Sequence, residues 1–315
     1  MSLNNEVFNQ LYEYYKNYMR TITIYNNDLP DNTYHKCCKN YYSSNGEDGL
    51  LEQLVKDLEL MNGTCCEFGA WDGIIASNTL HLINNYNFKA VLIEPDQHRY
   101  NQLITNYKDK PNTYCHCAFI DDKNLPEFLK LAKFPYNFDI LSIDIDSFDY
   151  DIWKSFVAYE PKIVIIETNS YRDPIVEELY HTQTNDYNKD KDLLFKLKVD
   201  NNDNHVGEGA SFIEIIKLGL SKNYIPIAYT INVIFVHKDY IHKLISIPYK
   251  ISENPYDYID LYTNIYYENN NWKTNSNRIV NTAIRNYYLQ FKNKDLDFEW
   301  ILNEIKTKGD LIWKI

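Results

Sequence analysis

The chain has 315 residues, of which 44% are hydrophobic, and its formal net charge is −12. This length can bury one large core with extensions, or two modest domains. The acidic balance argues against nucleic acid as the partner, because that affinity comes mainly from Lys and Arg. A polar start, and no apolar run of about 20 residues, predict a cytoplasmic protein without a signal peptide or membrane insertion.

The predicted elements fall into three parts. An N-terminal helical extension covers residues 1–42, with an amphipathic helix over 1–20. A central domain covers 43–240, and within it segment 170–207 is too long for an ordinary connection, which predicts a lid or substrate loop. The remaining residues, 241–315, are rich in Tyr and Asn and predict a helical extension, with helices at 278–292 and 297–306.

Strands and helices alternate in the central domain, after a first helix that begins near residue 49. The pattern predicts a mostly parallel sheet covered by helices on both faces. The predicted strands are 64–68, 89–94, 113–119, 138–144, 162–167, 224–230 and 232–237. The predicted helices between them are 75–84, 97–107, 124–133, 149–157 and 211–222.

The first two strands of this pattern each end in an acid, Glu67 and Glu94. Gly69 and Gly73 follow Glu67 in a turn where the backbone can approach a ligand, and an acid after the second strand suits ribose hydroxyls. The turn lacks the close glycine pair that receives a pyrophosphate. A nucleoside cofactor without phosphate therefore fits better, with S-adenosylmethionine the leading candidate. Asp72 has two open roles, accepting from the cofactor's ammonium or capping the next helix.

Polar residues also follow strands four and five. Asp144 and Asp146 would point the same way in an extended chain at the end of strand four, and Glu167 and Asn169 have the same spacing at the end of strand five. These groups predict a catalytic centre, either a general base or an oxygen-ligand site for Mg²⁺ or Mn²⁺ held by Asp144, Glu167 and Asn169. His205, at the end of the long segment, is a weaker candidate base.

The six cysteines occur close together in sequence, at 37–38, 65–66, 115 and 117. Without a secretory signal or a Cys-x-x-Cys pair, they predict neither a disulfide framework nor a zinc site. Cys65, Cys66, Cys115 and Cys117 lie on predicted strands, where a free cysteine behaves as a small buried hydrophobe.

Five motifs together resemble FkbM-type class I S-adenosylmethionine-dependent methyltransferases, in the branch associated with surface glycans. They are Asn-Gly-Glu-Asp-Gly-Leu-Leu-Glu at 45–52, Glu-Phe-Gly-Ala-Trp-Asp-Gly at 67–73, Leu-Ile-Glu-Pro-Asp at 92–96, Ser-Ile-Asp-Ile-Asp-Ser-Phe-Asp-Tyr at 142–150 and Gly-Ala-Ser at 209–211. The resemblance covers about residues 43–238. It implies a Rossmann-like methyltransferase fold with seven strands, the last antiparallel, and O-methylation, commonly of a sugar hydroxyl.

The resemblance also implies roles for individual residues. The turn after strand one would hold the methionine part of the cofactor, Glu94 with Pro95 would hold the ribose, and Asp144 would face the reacting centre. The remaining implied cofactor contacts are Gly46, Glu47 and Asp48, which would close over it; Glu67, Gly69, Ala70, Trp71, Asp72 and Gly73 in the turn; and Cys117, Ala118 and Phe119 beside the adenine. Relatives often have Tyr-Asn-Pro after the strand-five acid, where this chain has Thr168-Asn169-Ser170.

The first functional hypothesis is therefore an O-methyltransferase for a sugar or another small hydroxyl compound. A methyltransferase-like subunit that binds glycans or serves as structure without catalysis is the rival from another class, since fold alone does not separate the two. An enzyme that uses another nucleoside cofactor is a third reading. The sequence leaves a homo-oligomer open.

Overall fold

The computed structural model describes residues 34–121, 123–145, 148–169, 209–245 and 251–258. All of these belong to one compact unit spanning Asp28–Trp272. The predicted terminal helices, the long segment 170–207, Asp146 and His205 lie outside the described residues. The three-domain division therefore stays a prediction.

Seven strands form one mixed sheet in the order β3-β2-β1-β4-β5-β7-β6. Strands β1 to β5 pair in parallel, and β7 runs antiparallel to both β5 and β6. The sheet implied by the resemblance, with an antiparallel last strand, is confirmed. The strands are β1 Thr64–Phe68, β2 Lys89–Ile93, β3 Thr113–His116, β4 Ile140–Ile143, β5 Ile163–Glu167, β6 Tyr224–Tyr229 and β7 Asn232–His237.

Six α-helices accompany the sheet in the described residues. They are α1 Glu47–Asp57, α2 Leu80–Asn85, α3 Gln97–Tyr107, α4 Asn124–Leu131, α5 Asp149–Ser155 and α6 Phe212–Ser221, with short 3₁₀ turns at Tyr34–Cys37, Lys238–Lys243 and Pro255–Tyr258. None of these helices is long and apolar enough to cross a bilayer. The chain moves outward from β1 to β3 and then outward from β4 on the other side. Right-handed crossovers over such an order place the helices on both faces.

Most of the predicted elements are longer than the observed ones, and three of these differences change the expected site. Strand three ends at His116, so Cys117 lies beyond it and is exposed; the prediction that it is a buried strand residue was wrong. Strand four ends at Ile143, so strand alternation does not place Asp146 beside Asp144. The helix predicted over 75–84 begins only at Leu80, because the preceding polar residues bond to a carboxylate instead of continuing a helix.

The core lies along the central strands. Cys65 and Cys66 on β1, and every residue of β4, are fully buried. Strands covered on both faces need such continuous apolar runs. All six cysteines are free thiols, and burial raises the pKa of Cys65 and Cys66, which makes these two poor nucleophiles.

Gly69 marks the closest approach between β1 and β4. Its φ is +77°, and a Cβ built there would lie 1.7 Å from the carbonyl oxygen of Asp144. We expect Gly69→Ala to lower the free energy of unfolding by about 2 kcal/mol or more, since both the backbone and the space reject a side chain. Urea denaturation measures this. Ala76→Gly is the matched control, because Ala76 is exposed with φ +56° and glycine relieves that strain. Equal stability of the two variants would contradict the close approach.

Candidate functional site

The strand order reverses between β1 and β4, and the carboxyl ends at such a switch point are where open α/β sheets bind ligands. Here the turn after β1 is tied to the end of β2. The backbone N–H groups of Gly69 and Ala70 both donate to the carbonyl of Ile93, at 3.1 Å. The two strand ends therefore form one rigid edge.

Glu94 fixes the conformation of this edge. Its carboxylate accepts hydrogen bonds from the N–H of Trp71 at 3.0 Å and the N–H of Asp96 at 2.8 Å. Burial raises the pKa of Glu94, and the guanidinium of Arg99 lowers it in part. The carboxylate oxygens retain lone pairs, so the predicted bonds to ribose hydroxyls remain feasible beside the two backbone bonds.

Glu67 holds the segment before α2. Its carboxylate accepts from the hydroxyls of Ser77 (2.9 Å) and Thr79 (2.5 Å) and from the N–H of Asn78 (2.8 Å). The amide of Asn78 in turn donates to the hydroxyl of Ser142 on β4, at 3.1 Å. Burial chiefly, and the nearby charge of Asp48 to a smaller extent, raise the pKa of Glu67.

Asp72 and Gly73 shape the exposed end of the turn. Asp72 Oδ1 accepts from the N–H groups of Ile74 and Ile75, at 2.8 and 2.9 Å. It therefore caps this turn and not helix α2. Gly73 has φ +76°, and the ring of Tyr107 lies where a side chain would be. The Tyr107 hydroxyl donates to the Gly73 carbonyl at 2.6 Å, which anchors the turn on α3.

The first turn of α1 carries two buried acids. Asp48 Oδ2 accepts from three consecutive backbone N–H groups, those of Tyr41, Tyr42 and Ser43, at 2.6 to 2.8 Å. Its other oxygen, Oδ1, is buried without a hydrogen-bond partner. Gly46, at the helix start with φ +97°, has no room for a side chain beside Cys38. A buried carboxylate oxygen in this state is suited to a donor supplied by a ligand.

Besides Asp149 after β4, four carboxylates at this edge are almost completely buried: Glu47, Asp48, Glu67 and Glu94, which are 0% to 4% exposed. None of them forms an ion pair in the described part of the chain. Burial raises the pKa of Glu47 as it does for Glu67 and Glu94. A buried carboxylate without an ion pair is costly in its ionised form, so a positively charged ligand would favour ionisation at this edge, as Arg99 already does in part at Glu94.

Aromatic groups flank the β2–β3 side of the edge. The guanidinium of Arg99 stacks over the Trp71 ring at 4.0 Å, and Phe119 is 39% exposed. The thiol of Cys117 lies 3.7 Å from the carbonyl oxygen of Pro95. Cys117, Ala118 and Phe119 follow β3 directly, and their contact with an adenine stays a prediction.

The predicted catalytic groups follow adjacent strands. Ile143 of β4 pairs with Ile166 of β5, so Asp144 and Glu167 come next to each other at the same edge. Asp144 and Glu167 are half-buried, while Asn169 is buried. The described residues contain no group of three His, Cys, Asp or Glu side chains arranged for a metal ion. Asp146 lies outside them, so the convergence of all four groups stays a prediction.

Sequence reasoning missed the residues that hold these acids. Ser77 and Thr79 donate hydrogen bonds to Glu67. Thr230 in the β6–β7 turn and Asn232 at the start of β7 donate to Glu47, at 2.6 and 3.1 Å. The polar run 77–79 before an apolar helix was a visible signal. The hydrogen bonds between Glu47 and residues about 185 positions away gave no signal in the sequence, because no local pattern encodes them.

No family model matches the chain, and comparison with curated proteins found no significant relative. Among solved structures, it is similar to a protein provisionally named a sarcosine dimethylglycine methyltransferase from Galdieria sulphuraria (8% identity, TM-score 0.35, 57% of this chain and 62% of that one). It is also similar to the N-terminal domain of EvdMO1 with SAH bound (11%, 0.31, 56% and 71%). A third is an S-adenosylmethionine-dependent methyltransferase from Clostridium acetobutylicum (15%, 0.29, 56% and 65%). The chain thus spans less than two thirds of two of these structures, and such scores do not establish an activity.

The strand order does establish the architecture. Six strands in one direction with an antiparallel β7 inserted between β5 and β6 match the sheet that the sequence resemblance implies. The chain has a Rossmann-like methyltransferase fold.

Proposed function

We propose that this protein is an S-adenosylmethionine-dependent O-methyltransferase acting on a sugar or another small hydroxyl compound. The observation that carries the proposal is the set of buried carboxylates without ion pairs at the switch point of the sheet. S-adenosylmethionine carries a sulfonium, an ammonium and one carboxylate group, so it offers a net positive charge to such an edge. A dinucleotide would bring phosphate charges that the same edge repels.

Each part of the cofactor has residues that suit it. We assign the ribose hydroxyls to Glu94 and the adenine to Phe119 and Cys117, as the sequence resemblance implies. The buried Oδ1 of Asp48 lacks a hydrogen-bond donor, and we assign the ammonium of the methionine part to it. Glu67 acts as a positioning residue, because its three bonds shape the turn that would receive the methionine.

When bound, the cofactor supplies an electrophilic methyl group. The protein's task is to align the acceptor oxygen with that group in a dry pocket and to take the hydroxyl proton. Asp144 or Asp146 would take the proton as general base; in the metal-assisted version, Asp144, Glu167 and Asn169 would hold Mg²⁺ or Mn²⁺, which would lower the pKa of the acceptor hydroxyl. The glycan-associated FkbM branch is proposed on the five sequence motifs alone.

Mass spectrometry tests this function. The protein is incubated with S-adenosylmethionine and a panel of methyl glycosides, and the products are examined for an added methyl group. The proposal expects at least one methylated glycoside and stoichiometric formation of S-adenosylhomocysteine. Cofactor binding without any methylated product would favour the hypothesis of a non-catalytic subunit. If the cofactor does not bind, both hypotheses are rejected.

We expect Glu94→Ala to weaken S-adenosylmethionine binding by about 1–3 kcal/mol, the cost of charge-assisted bonds to ribose. The variant also releases the N–H groups of Trp71 and Asp96, so the turn should loosen. Calorimetry measures the affinity. Asp109→Ala is a control on the exposed surface beyond α3. Unchanged affinity in Glu94→Ala would place the cofactor elsewhere.

Cofactor affinity should depend on pH. Burial raises the pKa of Glu47, Glu67 and Glu94, and a bound cation favours their ionised forms. Binding should therefore release protons, and the affinity for S-adenosylmethionine should fall as the pH is lowered through these raised pKa values. In the ligand-free protein, folding stability has the opposite pH dependence to cofactor affinity. The folded state holds more protons than the unfolded chain, so the free energy of unfolding falls as pH rises through the same range.

Calorimetry in two buffers of different ionisation enthalpy measures the proton release. S-adenosylhomocysteine is the matched control ligand, because it lacks the sulfonium charge and should show a shallower pH dependence. Identical pH profiles for the two ligands would contradict an electrostatic effect of the sulfonium charge on these buried carboxylates.

A further inference from the structure

Asn232, the first residue of β7, carries a second unpartnered buried oxygen. The residue is 4% exposed, and its Oδ1 has no hydrogen-bond partner in the described part of the chain. Because β7 is antiparallel to β5, its first residue lies at the carboxyl edge of the sheet, paired with Glu167. A buried amide oxygen without a donor is rare in a native protein and calls for an explanation.

Neighbouring bonds fix the direction in which this oxygen points. Glu47 Oε1 accepts from the hydroxyl of Thr230 at 2.6 Å and from the amide nitrogen of Asn232 at 3.1 Å. Turning the amide over would set two acceptor oxygens against each other. The amide nitrogen therefore faces Glu47, and Oδ1 is the end left for another group.

The first turn of α1 spans the two halves of the edge. Glu47 is bonded to the β6–β7 turn, whereas the charge of its neighbour Asp48 acts on Glu67 at the end of β1. Asp48 thus belongs to the β1–β2–β3 half, where the cofactor is proposed. Asn232 belongs to the other half, where it pairs with Glu167 and where an acceptor would meet the methyl group.

We propose that Asn232 Oδ1 accepts a hydrogen bond from a hydroxyl of a carbohydrate acceptor, next to the hydroxyl that is methylated. The inference rests on the proposed function and adds a specificity-determining residue to it. An acceptor-only atom requires a donor on the ligand, and a polyol offers neighbouring hydroxyls, one to react and others to fix its orientation. Glu47 serves as a positioning residue, since it sets the orientation of the Asn232 amide.

Saturation-transfer NMR tests this subsite without turnover. The full-length protein, saturated with S-adenosylhomocysteine, is mixed with the methyl glycosides of glucose, galactose, mannose and rhamnose. We expect at least one glycoside to bind the wild type, and its affinity to fall about tenfold or more in Asn232→Ala. Asn232→Leu, which keeps most of the side-chain volume, should lose the same affinity.

The matched control is Asn137→Ala, an exposed asparagine before β4 at the opposite edge, bonded to Tyr240. It should keep glycoside binding, and all three variants should keep their affinity for S-adenosylhomocysteine. Undiminished glycoside binding in both Asn232 variants, or no glycoside binding to the wild type, would overturn the subsite. Loss of S-adenosylhomocysteine affinity in both variants would also overturn it, because the subsite lies apart from the cofactor half. Failure of the wild type to bind S-adenosylhomocysteine would instead reject the proposed function.

Discussion

Glu67→Ala should lower the free energy of unfolding by about 3 kcal/mol or more, because it leaves several buried donors without an acceptor. These are the hydroxyls of Ser77 and Thr79 and the N–H of Asn78, which all bond to this one carboxylate. The segment before α2 should lose its conformation, and cofactor binding should be lost with it. Urea denaturation measures the first effect and calorimetry the second.

Glu67→Gln separates the fold from the charge. The glutamine amide has a similar shape: its oxygen can accept from the N–H of Asn78, and the hydroxyl of Thr79 can rotate to accept from its NH₂ group. We expect the free energy of unfolding of this variant to be close to that of the wild type. Its affinity for S-adenosylmethionine should fall, and its affinity for S-adenosylhomocysteine should change less. An alanine variant as stable as the wild type would contradict the bonding described for Glu67.

The second large effect concerns the general base. We expect Asp144→Asn or Asp146→Asn to reduce turnover by about 10²–10⁴-fold, the range for loss of a positioned proton acceptor. Cofactor affinity should change little in the variant that removes the base. Asp151→Asn, on helix α5 outside the proposed centre, is the matched control and should retain turnover.

Chelation distinguishes the two versions of this centre. If Asp144, Glu167 and Asn169 hold a cation, EDTA should abolish turnover, Mg²⁺ or Mn²⁺ should restore it, and cofactor binding should survive. If no metal takes part, EDTA should not change the turnover of the wild type, and only the aspartate variants should have reduced turnover. Full turnover in both aspartate variants and in EDTA would contradict both versions.

The sheet could be predicted from sequence because its strands carry local signals. Apolar runs ending in Glu67 and Glu94 predicted β1 and β2, and helix α3 begins at Gln97 as predicted. There, the side chain of Asp96 accepts from the N–H of Arg99 at 2.8 Å, a cap that a short sequence window contains. Such elements depend on residues within a few positions of one another.

The hydrogen bonds that orient the buried acids of the site could not be predicted from local sequence patterns. Asp48 is bonded to three N–H groups of its own loop, a geometry that composition does not encode. Glu47 meets Asn232 only because α1 lies across the edge of the sheet, which depends on the whole fold. Cys117 is exposed because β3 ends one residue earlier, a boundary that a continuing β-like pattern conceals.

Calorimetric titration of the wild-type protein with S-adenosylhomocysteine and, separately, with ATP tests the central claim most directly. Unpaired buried carboxylates, and a turn without the close glycine pair that receives phosphate, should favour the amino-acid-bearing nucleoside. We predict saturable one-to-one binding of S-adenosylhomocysteine and no measurable binding of ATP. Binding of ATP in preference to S-adenosylhomocysteine, or of neither ligand, would contradict the assignment of this edge as a methyl-donor site.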